Sequence, residues 1–93
     1  MPSKPLSELE PEFYDLQHER GVTRVLYFEC PACTPGHGIE VGFSGPSIFA
    51  SGAAWRLLTA EDAATATLTP SIDCTHGGSC SFHGFVTNGV VSW

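Results

Sequence analysis

The chain reads as a mainly β domain, zinc-ribbon-like, built from antiparallel hairpins with a short N-terminal helical arm. Three observations predict this. Two ligand pairs, Cys30-Pro31-Ala32-Cys33 and Cys80-Ser81-Phe82-His83, stand far apart in the chain and fall beside turn signals. Runs rich in β-branched and aromatic residues flank both pairs, as strands require. At 93 residues the chain holds a single small core, burying roughly 60–65% of its unfolded surface, and needs a further closure. A structural zinc contributes on the order of 10–16 kcal/mol coupled to folding, against a net domain stability of about 5–15 kcal/mol.

The elements follow in order. Residues 1–20 form a polar, acidic arm, and residues 21–93 the zinc-binding β domain. In the arm, Ser7 and Glu10 fit a capping box and Pro11 a first helical turn, which predicts a short helix from Pro11 to Glu19 anchored by Phe13, Tyr14 and Leu16. Val22 to Glu29 is the clearest strand and runs directly into Cys30. Pro35, Gly36 and Gly38 mark a turn, after which Ile39, Val41 and Phe43 alternate with Glu40 and Gly42 as a half-buried strand. The first cysteine pair therefore sits at a hairpin tip.

Residues 44–52 read as a loop. Trp55, Leu57 and Leu58 form a short strand, and Thr59 with Asp62 caps a brief helix through the alanines of 60–66. Thr67 to Ile72 is an edge strand interrupted by Pro70. Phe85 to Thr87, Asn88-Gly89 and Val90 to Trp93 make a type I′ hairpin.

Structural zinc takes four Cys or His ligands in a tetrahedron. The two pairs supply Cys30, Cys33, Cys80 and His83, with Cys74, His37 and His76 as alternates. A redox role for Cys30 and Cys33 fits less well, because Pro35, Gly36 and Gly38 follow them where a thioredoxin-like motif would open a helix.

The net charge is −6, and five of the ten acids (Glu8, Glu10, Glu12, Asp15, Glu19) lie in the first nineteen residues. Lys4, Arg20, Arg24 and Arg56 are scattered, so no basic stripe exists to meet phosphates or anionic lipid, and nucleic-acid and membrane-surface binding are disfavoured. There is neither a signal-like apolar run at the start nor a stretch of membrane-spanning length. A reducing cytoplasm is expected, where four cysteines favour metal over disulfides.

Catalytic signatures are thin. His-Glu-x-x-His is absent, and the His-x-Glu of zinc deaminases is not met by His37 and Glu40. Gly42-Phe43-Ser44-Gly45-Pro46 fails the nucleophile elbow at its last position. His76-Gly77-Gly78-Ser79 resembles an esterase oxyanion loop, here without an elbow. A catalytic zinc with an open position would leave Glu40 or Asp73 as base.

The stretches Ala66-Thr67-Leu68-Thr69-Pro70-Ser71-Ile72 and Cys80-Ser81-Phe82-His83-Gly84-Phe85-Val86-Thr87-Asn88-Gly89-Val90-Val91-Ser92-Trp93 resemble a family of small uncharacterised Cys/His proteins common in phages and prophages, loosely labelled "ammonia monooxygenase". The resemblance covers about residues 22–93. It implies a zinc-binding β module with Cys30, Cys33, Cys80 and His83 at the ligand-like places, and no established activity. The expectation is thus a phage-encoded, zinc-stabilised, non-enzymatic interaction protein in the host cytoplasm, its acidic surface facing a protein partner such as a host factor. The alternatives are a virion or assembly component and a zinc-dependent hydrolase.

Overall fold

The computed structural model describes residues 2–33, 37–74 and 80–93. The Pro35-Gly36 turn, His76 and the His76-Gly77-Gly78-Ser79 stretch lie outside the described residues. Nine strands form antiparallel ladders among these residues: β1 (Ser3–Pro5), β2 (Glu12–His18), β3 (Gly21–Glu29), β4 (Gly38–Ser44), β5 (Arg56–Leu57), β6 (Leu68–Thr69), β7 (Ile72–Asp73), β8 (His83–Thr87) and β9 (Val90–Ser92). They assemble as a four-stranded sheet in the order β1-β9-β8-β7, a three-stranded sheet β2-β3-β4 and a small β5-β6 pair.

The mainly β expectation holds, and the hairpins fall where the pattern places them. β3 pairs with β4 from Arg24↔Ser44 to Glu29↔Gly38. Its buried Leu26 and Phe28 face the core that Ile39 and Val41 complete. β8 and β9 join through Asn88 (φ 46°) and Gly89 (φ 75°), the two left-handed residues that a type I′ turn demands.

The N-terminal helical arm is corrected. Residues 12–18 are strand β2, paired with β3 from Glu12↔Tyr27 to His18↔Gly21. Only Leu6–Glu8 makes a single 3-10 turn. Tyr14, Leu16 and His18 are half-buried while Asp15 and Gln17 are exposed, an alternation of period two that suits a sheet and not a helix. Phe13 also meets Phe43 edge-on, with ring centroids 6.1 Å apart. A capping box is a local signal, and the open edge of β3 outweighs it. β1 in turn pairs with β9, and Leu6 and Leu9 are buried in the common core.

The alanine segment is likewise a turn: Asp62 accepts the Thr65 and Ala66 N–H groups through its carbonyl and the Ala64 N–H through its carboxylate. One turn is as far as the residues between β5 and β6 reach before the chain must return to pair. Between the two larger sheets, Phe28 and Phe82 pack edge-on at 6.2 Å, and both are fully buried.

Candidate functional site

Two groups of side chains meet where β4, β7 and β8 come together. The first is a cluster of metal-type donors. Cys30 follows β3, Cys33 and His37 lie between β3 and β4, and Cys80 precedes β8. Ligand atoms of Cys30, Cys33, His37 and Cys80 all lie within 4.8 Å of one another. The Cys30–Cys80 sulfur separation is 3.7 Å and the Cys33–Cys80 separation 3.1 Å. Tetrahedral zinc with bonds near 2.3 Å holds its sulfurs about 3.8 Å apart, so the group is of the right size. The buried Nδ1 of His37 has no hydrogen-bond partner among the described residues. Cys74, just after β7, adjoins the group with its Sγ 4.0 Å from His37 Nε2.

The thiols are not equivalent. Burial pushes Cys30 up to about 12 and Cys74 up to about 11, and the contact with Cys80 raises Cys33. Burial works against the Cys80 thiolate too, but hydrogen bonds from Cys33 and the Phe82 N–H hold its pKa below the ordinary thiol value. A thiolate is the form that binds metal, and among these thiols the surroundings of Cys80 are the ones that favour it.

Of the four expected ligands, three meet. His83 stands elsewhere. Along 80–86, Cys80, Phe82, Gly84 and Val86 turn inward and His83 and Phe85 turn outward. The spacing of a Cys-x-x-His pair brings two ligands together on a tight turn, but the start of a strand sends them to opposite faces. The place beside Cys80 is taken by His37, and His83 joins a second group.

That second group lies on the solvent face of the four-stranded sheet. Ser71 Oγ is 3.3 Å from His83 Nε2. Asp73 stands directly opposite His83 in the β7–β8 ladder, while Ile72 pairs with Gly84. Because strand side chains alternate, Ser71, Asp73 and His83 share one face and Ile72 goes to the core. The indole N–H of Trp55 donates to the Ser71 carbonyl at 3.2 Å, fixing the backbone at the serine. Hydroxyl, imidazole and carboxylate thus occur together in the chain order serine, aspartate, histidine. The 3.3 Å separation is slightly looser than the 2.6–3.2 Å of an engaged nucleophile and base, as is common without substrate.

A cleft of about 870 Å³ opens beside Ser71. One wall carries Gly38 and Glu40 of β4, another Phe49 and Trp55, and Ser71 and Asp73 lie along its side. Phe49 and Trp55 pack edge-on at 6.1 Å. Tyr14 donates from its hydroxyl to Glu40. No lysine or arginine lines the cleft among the described residues.

Motif reading does not reveal this serine. Ser71 and Asp73 follow no nucleophile elbow, and their relation to His83 exists only across two strands. The one available signal is the alternation Ser71-Ile72-Asp73 in a short edge strand after Pro70.

No helix among the described residues is long and apolar enough to cross a membrane. Neither a curated protein nor a solved structure matches the chain. A family model does, over residues 2–93, under the description "Bacterial ubiquitination-like system serine protease (BubE)". This overturns the expectation of a phage-encoded, non-enzymatic interaction module and its virion alternative, and the description names a serine protease where a zinc-dependent hydrolase was the remaining alternative.

Proposed function

The chain belongs to the family of bacterial ubiquitination-like system serine proteases, and from that premise we propose that it is a protease whose nucleophile is Ser71 and whose general base is His83. The observation that carries this reading is the 3.3 Å approach of Ser71 Oγ to His83 Nε2 on an exposed sheet face beside a cleft. As substrate we propose a peptide bond in an exposed tail of the system's ubiquitin-like protein, which follows from the family description.

In the first half-reaction, His83 Nε2 takes the Ser71 proton as Oγ bonds to the substrate carbonyl carbon. The imidazolium then gives that proton to the departing amine nitrogen, the C–N bond breaks, and an acyl ester remains on Ser71. In the second, His83 takes a proton from water as its oxygen attacks the ester. Return of the proton to Ser71 Oγ releases the carboxylic acid. Asp73, across the ladder, is placed to orient the imidazole and to stabilise its charged form. Trp55 holds the Ser71 backbone so that the hydroxyl stays turned toward His83.

The donor cluster fits zinc in size and chemistry, and Cys30, Cys33, His37 and Cys80 would hold it. There zinc would supply closure of the fold and no catalytic step. The ion would tie the β3–β4 connection to Cys80, three residues ahead of His83 at the start of β8.

The test is hydrolysis of a ubiquitin-like substrate carrying a C-terminal peptide extension. Ser71→Ala and His83→Ala are each expected to lower kcat/KM about 10³-fold or more while leaving thermal unfolding unchanged. Full activity in either variant would contradict the assignment.

A further inference from the structure

The cleft beside Ser71 lies along two sheet edges. β4 is the last strand of its sheet and β7 the last of the other. In an antiparallel strand the backbone groups of alternate residues point to opposite edges. The Gly42 carbonyl accepts the Trp55 N–H, away from β3, whereas the His37 carbonyl accepts the Cys30 N–H on the β3 side. Counting by twos, the N–H and C=O groups of Gly38 and Glu40 point away from β3, into the cleft. Among the described residues, the backbone bonds outside the ladders include none from Gly38 or Glu40. A Cβ at Gly38 would sit 2.1 Å from the Tyr27 ring, so glycine is what lets that ring lie over β4 at this point.

We propose that the scissile segment of the substrate binds as an added β-strand on the β4 edge at Gly38–Glu40, and that it is an extended segment with apolar residues and at least one lysine or arginine. This rests on the protease reading above and adds how that site holds its substrate. Strand addition supplies main-chain hydrogen bonds independent of side-chain identity. Phe49 and Trp55 offer the apolar wall, and Glu40 and Asp73 give the lining its acidic groups. The chain as a whole carries a charge of −6, which favours approach of a basic segment. An added strand on this edge passes Ser71, which immediately precedes β7, and there its carbonyl meets the hydroxyl.

Two measurements test this. In the first, amide hydrogen exchange is followed in the Ser71→Ala protein with a capped lysine-containing peptide of alternating valine and threonine. The Gly38 and Glu40 amides are expected to slow at least tenfold with saturating peptide. No slowing at either amide overturns the proposal, as does slowing that tracks protein concentration without peptide, which would mark a second copy on the edge.

The second compares Glu40→Pro with Glu40→Ala. Both lose the carboxylate and its Tyr14 contact, but only proline removes the N–H that points into the cleft, and the bonds to β3 remain. Glu40→Pro is expected to raise KM for a peptide substrate at least tenfold above that of Glu40→Ala, with hydrolysis of a small aryl acetate equal in the two. Equal KM values would overturn the proposal. The exchange experiment does not require catalysis, so a failure of Ser71 as nucleophile leaves it readable.

Discussion

At the residue scale, position on a strand decides what each polar side chain does. Cys80 and His83 are three apart, yet the start of β8 turns the thiol inward and the imidazole outward. Their motif was legible in the sequence, but their separation was not, because ligand spacing carries no information on which face a strand presents. Ser71 acquires its partner only through the β7–β8 register. Tyr14 is a simpler case. Burial first, then its hydrogen bond to Glu40, pushes its phenol from near 10 up to about 12. A group that holds its proton more tightly when folded contributes full stability below its unfolded pKa and loses it as pH rises through the folded one. Wild type should therefore lose stability between about pH 10 and 12. Tyr14→Phe should lack this component, which urea titrations across that range would measure; equal slopes would refute it.

At the element scale, β3 was legible from its β-branched and aromatic run, β4 from its apolar alternation, and the β8–β9 hairpin from its Asn-Gly turn. β2 was not. Its Glu12-Phe13-Tyr14-Asp15-Leu16-Gln17-His18 stretch alternates, but Pro11 and the capping-type pair compete with that signal locally. Only the long-range pairing with β3 decides it. The alanines of 60–66 misled for the same reason, since helix propensity is weak beside the need to return the chain from β5 to β6. The proposed nucleophile immediately precedes β7 and the proposed base opens β8, and both strands adjoin the donor cluster: Cys74 follows Asp73, and Cys80 lies three residues before His83. Removing a metal held there should loosen both strands. Chelation, or Cys80→Ala, is expected to abolish the cooperative thermal transition and peptide hydrolysis together, with Cys74→Ala milder. An unchanged transition in metal-free protein would contradict a closing role.

At the scale of the whole molecule, a 93-residue chain places its proposed active site on a sheet face and its cleft along the edges of two sheets. The buried core beneath, centred on Phe28 and Phe82, keeps these sheets in register with each other. The fold class and three of the clustered donors could be read from composition, patterning and spacing. The proposed catalytic group could not, since no single segment contains it. The central claim is that Ser71 is a nucleophile activated by His83, and covalent labelling tests it most directly. Incubation with a fluorophosphonate followed by peptide mass spectrometry should show one adduct, on Ser71, that disappears in His83→Ala protein of unchanged thermal stability. An adduct on another serine, or none on folded wild-type protein, would contradict the account.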